Sequence, residues 1–277
     1  MIKLSILSTG SDGNSYILTT DKPFDPTLPR SIMVDCGVSY TVKKCNELGV
    51  DINDIYAICI THAHSDHVSS IKPLTNKMSH MPLICGSEGE LHSKGIAKHL
   101  PQSHEELVFH FDEYKNVSEM ERIGNFAVVA LRADHDSNEP IHYFISDGSS
   151  AVFVSCDNCK ITDEILGYMR ESNCVLLESN YSQAAFESDY IDGKEIGVQY
   201  DLLLKNRITL KAHTSNDDAR KIMELLKGYV KHVVLIHPSK FYNSYNTMVK
   251  EIDPDSFYPE MNVTVAFSYR CPIQLKI

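Results

Sequence analysis

The chain has 277 residues, 43% of them hydrophobic and 23% charged, with a formal net charge of −11. That is enough length and apolar content for a packed core, and no apolar run approaches the ~20 residues of a membrane span. The acidic balance counts against extensive contact with a nucleic-acid duplex, which draws much of its affinity from a basic surplus, or confines that contact to one basic patch.

Runs rich in Val, Ile, Phe and Tyr, bounded by turn residues, predict strands over 2–8, 15–19, 31–35, 56–60, 82–85, 126–131, 141–146, 151–155, 174–178, 232–236 and 262–268. The first of these, Met1 to Leu7, reads as a strand rather than a signal peptide. Gly10 and Gly13 predict a tight turn after it, with the positive φ that glycine tolerates; a phosphate cradle is the alternative. Helices are expected near 39–48, 68–78, 87–99, 162–171, 216–229 and 241–251. Gly49 is placed to end the first. Asn216-Asp217-Asp218 gives the fifth a capped, acidic start. The elements fall into two halves, up to about residue 120 and from 125 onward. No Pro/Gly/Ser-rich linker divides them, so one domain is expected over 1–277.

The segment 182–205 fits neither pattern. It holds Glu187, Asp189, Asp192, Glu195 and Asp201 against Lys194 and Lys205. It reads as an exposed loop with a short helix, or as a lid or dimer arm, which would make the protein a homodimer. Eight cysteines (Cys36, Cys45, Cys59, Cys85, Cys156, Cys159, Cys174 and Cys271) lie mostly inside apolar runs. They read as reduced thiols of a cytoplasmic protein. Cys156 and Cys159 form a C-x-x-C, but without a second pair or a thioredoxin-like context packing is preferred to redox chemistry.

The densest chemistry is Thr61-His62-Ala63-His64-Ser65-Asp66-His67, directly after the apolar run Tyr56–Ile60. On an extended chain His62 and His64 point the same way. Asp66 and His67 follow where the chain should turn into a helix, so they can face a different point. One segment can therefore start two metal sites, each needing ligands from elsewhere. His135, Asp157 and His237 each stand where a later apolar strand gives out, which is where sites are commonly assembled. His80, His92, His99, His104, His110, His142 and His232 read as surface or capped residues.

H-x-H-x-D-H after a strand, followed by separate His, Asp and His, resembles the metallo-β-lactamase-fold hydrolases over nearly the whole chain. The resemblance implies an α/β fold, a four-layer αββα sandwich with both sheets inside. It implies one ion on His62, His64 and His135, another on Asp66, His67 and His237, and Asp157 bridging them. Ile32-Met33-Val34-Asp35-Cys36-Gly37 looks like the family's Asp-x-Gly strand end, where Asp35 would be a buried carboxylate holding the ligands in register. Nitrogen and carboxylate ligands suit two divalent ions, Zn2+ or Mn2+.

A closer similarity is to the YycJ (WalJ) branch. Leu7 to Ser15 looks like its S-G-S-x-G-N turn, and His135-Asp136 with Glu139-Pro140 like its third motif. Leu177-Glu178-Ser179-Asn180, Ala212 to Ala219 and His237-Pro238-Ser239-Lys240 look like its later motifs. These last three also parallel, more loosely, motifs of ribonuclease Z.

Two such ions would hold a hydroxide near neutrality and polarise a substrate oxygen, whatever the substrate; Asp66 would be a catalytic group as well as a ligand. Glu178 and His213 discriminate. A protonated histidine held by a carboxylate suits the poor leaving group of a phosphodiester. Ser239 and Lys240 would hold non-bridging phosphate oxygens. The resemblance thus implies a binuclear phosphodiesterase acting on nucleic acid or a nucleotide, with no membrane partner, and a DNA exonuclease first. A cyclic-nucleotide phosphodiesterase similar to the anti-Pycsar enzymes of phages is an alternative, which the acidic charge and the 182–205 arm favour. A thioester or lactam hydrolase is another, in which Glu178 and His213 would be idle.

Overall fold

The computed structural model describes residues 1–93, 96, 98, 99, 108–111, 116–158, 160–196 and 212–277. Strands β1 (Ile2–Ser8), β2 (Ser15–Thr20), β3 (Ser31–Val34), β4 (Ile55–Cys59), β5 (Leu83–Ser87) and β6 (Val108–Phe111) form one sheet with β16 (Ile273–Lys276), in the order β16-β1-β2-β3-β4-β5-β6. Strands β7 (Glu121–Ile123), β8 (Phe126–Arg132), β9 (Ile141–Ser146), β10 (Ala151–Ser155), β11 (Cys174–Glu178), β14 (His232–Ile236) and β15 (Asn262–Val265) form the second, in the order β15-β14-β11-β10-β9-β8-β7. A small hairpin pairs β12 (Tyr190–Ile191) with β13 (Lys194–Glu195).

Both sheets obey one plan. Pairing is antiparallel from β16 to β3 and parallel from β3 to β6. It is antiparallel from β7 to β10 and parallel from β10 to β15. Parallel neighbours need crossover connections, and these carry the helices onto the outer faces. The C-terminal ends of the parallel strands collect at one edge, and there the loops can converge.

Alternation decides which side chains face the other sheet. Ile2, Leu4 and Ile6 of β1 pack with Phe126, Val128, Tyr143, Val152, Val154 and Leu176 between the sheets. Leu7, Ile17 and Met33 lie in a second cluster with Val68, Ile71 and Leu74 of the outer helices. On the opposite outer face Phe153, Val175 and Val233 pack with Ile165, Met169, Ala219 and Met223. The layers are therefore helix, sheet, sheet, helix. Each fully buried large side chain contributes about 1.5–3 kcal/mol. The Tyr143 hydroxyl crosses the interface to donate to the Ile60 carbonyl at 2.7 Å.

Several helices are shorter than the pattern predicts. In place of a helix over 68–78 there are two turns, Ser65–Val68 and Ile71–Thr75, because the Ser70 amide leaves the helical ladder to donate to Cys36 O at 2.8 Å. The expected helix over 87–99 is described as Glu88–Leu91. Residues 94, 95 and 97 lie outside the described residues. The last expected helix begins at Tyr245, where Ser244 accepts from the Thr247 amide at 3.0 Å. Strand β15 stops at Val265, short of 268. The pattern does not reveal β6, β7 and β16, nor the helix Pro254–Phe257, while the short helix read within 182–205 is Gln183–Ser188. Gly49 (φ +65°) follows the helix Thr41–Glu47, and Gly10 (φ +103°) and Gly13 (φ +129°) make the turn between β1 and β2.

Of the segment 182–205, residues 197–205 lie outside the described residues. The remainder is docked on the helix Tyr245–Ile252: Ser182 donates to Glu251 at 2.6 Å and Thr247 to Asp192 at 3.1 Å. Cys159 is likewise outside, and the seven described cysteines are free thiols. Among the described residues no helix is long and apolar enough to cross a membrane.

Candidate metal centre

The convergent edge carries the histidines and carboxylates singled out as candidate ligands. His62 and His64 follow β4 on extended chain, and the short helix Ser65–Val68 turns Asp66 and His67 toward a second point. His135 follows β8, Asp157 follows β10, Glu178 ends β11 and His237 follows β14. Asp35, Asp157 and His237 all adopt left-handed backbone, with φ of 55°, 50° and 56°. Non-glycine residues adopt that region at a cost of about 1–3 kcal/mol, and three of them gathered at one edge mark a strained, over-determined site.

Two donor sets result. In the first, His62 Nε2 lies 2.9 Å from His64 Nδ1 and 3.3 Å from Asp157 Oδ2. His135 Nε2 lies 3.3 Å from His64 Nδ1 and 3.5 Å from Asp157 Oδ2. In the second, His67 Nε2 is 3.6 Å from Asp66 Oδ2 and 3.4 Å from Asp157 Oδ2, and His237 Nε2 is 3.4 Å from Asp66 Oδ2. Donors about 2.0–2.2 Å from a tetrahedral ion stand about 3.3–3.6 Å from one another; the second set and all of the first but the closer His62–His64 pair, at 2.9 Å, have these separations, so both could hold a divalent cation. Oδ2 of Asp157 faces both, as a bridging ligand must.

Cys156 lies close enough to join the second set. Its thiol instead donates to Asp157 Oδ1 at 3.2 Å, and burial holds its pKa well above the ordinary value, so it is poorly suited to bind as a thiolate, whereas the Asp66 carboxylate could complete the set. Asp157, Glu178, His213 and His237 form a third close group, although Glu178 and His213 are occupied with each other.

Supporting hydrogen bonds aim these donors. His67 Nδ1 donates to Asp35 Oδ2 at 2.8 Å, and Asp35 also accepts from the Thr61 amide at 2.8 Å. His135 Nδ1 donates to the Ala212 carbonyl at 2.8 Å. Each leaves Nε2 toward the cluster. Asn14 Nδ2 lies 3.1 Å from His67 Nε2, and Asn180 Nδ2 donates to the His237 carbonyl at 2.8 Å. Asn14 and Asn180 stand inside quoted motifs, but the sequence gives them no role, because an asparagine after a turn or a strand carries no mark of what it will touch.

The electrostatics are those of a cation site. Burial opposes ionisation of Asp157, yet His237 and His67 hold its carboxyl well below the usual range. Burial likewise opposes Asp66, but His67 and His237 keep it low. Burial and the neighbouring His67 push His62 well below its ordinary value. Burial would lower His67 too, but Asp35, Asp157 and Asp66 raise it to about 10. The cationic partners of Asp157 are thus His67 and His237, whereas His62 and His135 face it as neutral rings.

Beside the two sets, His213 Nδ1 donates to Glu178 Oε1 at 2.7 Å, and both residues are buried. Glu178 Oε2 accepts from the Asn158 and Thr214 amides at 2.8 and 3.0 Å. Burial opposes its ionisation, but His213 and His237 bring it down to about 2. Ser239 is buried, its hydroxyl accepting from the amides of Phe241 and Tyr242, and Lys240 pairs with Asp12. His142 is not a surface residue: it lies inside β9, fully buried, with neither ring nitrogen hydrogen-bonded, and burial pushes it down to about 4. His104 lies outside the described residues.

Two facing sheets inside helical layers, with a His/Asp cluster on the loops at one edge, define a metallo-β-lactamase-fold hydrolase. The model of the β-lactamase superfamily domain matches residues 30–237, and the chain belongs to that family. It is 30% identical over 264 residues to the exodeoxyribonuclease WalJ of Streptococcus pneumoniae, covering 90% of this chain and 88% of that protein. It is 24% identical to the exodeoxyribonuclease YycJ of Bacillus anthracis, covering 86% and 83%. The crystal structure of YhfI from Bacillus subtilis, a metallo-β-lactamase fold protein, superposes with a TM-score of 0.70 at 17% identity, covering 100% of both chains.

Proposed function

We propose that this hydrolase is a phosphodiesterase acting on DNA, the activity named for its WalJ and YycJ relatives. The observation that carries the reading is the buried hydrogen bond from His213 to Glu178, beside the donor sets. His62, His64 and His135 would hold one ion, Asp66, His67 and His237 the other, and Asp157 both. Zn2+ and Mn2+ each suit this nitrogen and carboxylate set. Bound there, the cations would supply Lewis acidity toward a phosphoryl oxygen and acidify the attacking water.

The chain's own groups then handle the proton. Glu178 fixes Nδ1 of His213, so Nε2 is the atom that delivers a proton. As the P–O bond breaks, the leaving oxygen takes the bonding pair and His213 protonates it. Glu178 stays ionised, held by two backbone amides, and stabilises the charged imidazole before transfer. A thioester hydrolase has no use for this pair, since a thiolate leaves without a proton.

Two cavities favour an extended substrate over a cyclic mononucleotide. One of about 530 Å³ adjoins the His135 loop and includes Arg132, Asp134 and Lys160. Another of about 370 Å³ adjoins the His237 strand end and includes Ser11, Lys240 and Tyr269. We read the chain as one domain, since a single apolar layer draws on both halves.

The test offers the protein, with Mn2+ or Zn2+, linear DNA, a tRNA precursor, a 3′,5′-cyclic nucleotide, a thioester and a lactam. Release of nucleotides from DNA is expected. Turnover of the thioester or lactam alone would overturn the phosphodiesterase reading, and turnover of the cyclic nucleotide alone would overturn DNA as substrate.

A further inference from the structure

Glu90 is fully buried and has no part in the donor sets. It sits in the short helix Glu88–Leu91 that follows β5. Its Oε2 accepts from the Ala63 amide at 2.8 Å. Its Oε1 accepts from the Ser137 hydroxyl at 2.6 Å and from the Glu139 amide at 2.7 Å. Ala63 stands between His62 and His64, while Ser137 and Glu139 belong to the loop that begins at His135. One carboxylate thus ties together the two loops that carry all three imidazoles of the first donor set.

A parallel pair of bonds reinforces this tie. The Gly89 amide donates to Glu139 Oε2 at 2.8 Å, and the Ser87 hydroxyl donates to the Glu139 carbonyl at 2.7 Å. A Cβ on residue 89 would stand 2.6 Å from that carboxylate oxygen, so a larger residue there would push the Glu139 side chain off this amide. All three partners of Glu90 are donors. A carboxylate accepts on both oxygens, whereas an amide would turn an N–H toward one of these donors. The second donor set is held by different residues: Asp35 and Asn14 at His67, and Asn180 at His237.

We propose that Glu90 is a positioning residue that sets the spacing between the His62/His64 loop and the His135 loop, and so controls cation affinity at that position alone. The proposal rests on the two-cation reading of the centre. Supports behind metal ligands are typically worth 10–100-fold in affinity. Losing the Glu90 acceptor should therefore weaken one Zn2+ site by about that factor and leave the other as it was.

The experiment is a Zn2+ titration of the full chain against a chromophoric chelator, with bound zinc counted by elemental analysis. Wild type should hold two ions. Glu90→Gln should weaken one of them about 10–100-fold. Ser137→Ala removes one donor without touching the acid. It should weaken the same site by less, and it decides the question if Glu90→Gln does not fold. In a His64→Ala background, where the first site is already lost, Glu90→Gln should not change the affinity of the remaining ion. Equal weakening of both sites, no weakening, or a further loss in the His64→Ala background would each overturn the role of Glu90. A wild-type protein that holds fewer than two ions would overturn the two-cation reading instead.

Discussion

His213→Ala tests proton delivery without dismantling the centre. The substitution removes the imidazole that donates to Glu178 Oε1 at 2.7 Å. Glu178 keeps the Asn158 and Thr214 amides on Oε2, at 2.8 and 3.0 Å, and His237 Nδ1 at 3.2 Å from Oε1. The carboxylate therefore stays satisfied, and both donor sets keep all their members. Loss of a general acid typically costs about 10²–10⁴-fold, equivalent to about 3–5.5 kcal/mol of barrier. The loss should depend on the leaving group. The assay compares kcat/KM on a dinucleotide, whose alkoxide needs a proton, with kcat/KM on methyl p-nitrophenyl phosphate, whose phenolate leaves without one. The variant should lose about 10²–10⁴-fold on the first and little on the second, with wild-type metal content. An equal loss on both substrates, or no loss on the dinucleotide, would refute the reasoning.

Four other substitutions probe the supports of the site and the fold. Asp35→Asn replaces the acceptor of His67 Nδ1 and of the Thr61 amide, and metal affinity should fall about 10–100-fold in a chelator competition. Gly37→Ala would put a Cβ 1.7 Å from the Asp66 carbonyl oxygen, so the ligand turn must move; a loss of about 3 kcal/mol or more is expected by urea unfolding. Phe153→Ala empties a fully buried position and should cost about 3–5 kcal/mol in the same measurement. Burial opposes ionisation of Asp147, but the Ser149 and Ser150 amides and the Thr20 hydroxyl hold its carboxyl below the ordinary value. Its stabilisation is complete above the unfolded pKa of about 3.9 and fades as pH falls through the lower folded value. Asp147→Asn should therefore flatten the acid limb of a stability–pH curve.

The linear sequence determined the parts that depend on local pattern and residue chemistry. Near-continuous apolar runs mark β4, β8, β10, β11 and β14 almost to the residue, because a strand with both faces covered is apolar on both, and β1 shows in its apolar-rich run. Turn chemistry placed the glycines at 10, 13 and 49. The spacing of His62, His64, Asp66 and His67 announced two facing directions, since a strand end and a helix start orient side chains by fixed local geometry.

Tertiary structure decided what depends on the neighbours a side chain acquires. Strands β6, β7 and β16 are only three or four residues long, too short for a pattern to stand out, and a sheet edge offers them partners. His142 and His135 are both histidines close to a strand end, yet one is buried without a partner and the other faces Asp157. Glu90 shows the limit most clearly. A glutamate in a four-residue helix resembles any surface acid until the packing of β5 sets it between the Ala63 amide and the Ser137–Glu139 loop. Hydrogen bonds between segments 27 and 47 residues apart leave no periodic trace, so only the folded chain discloses them.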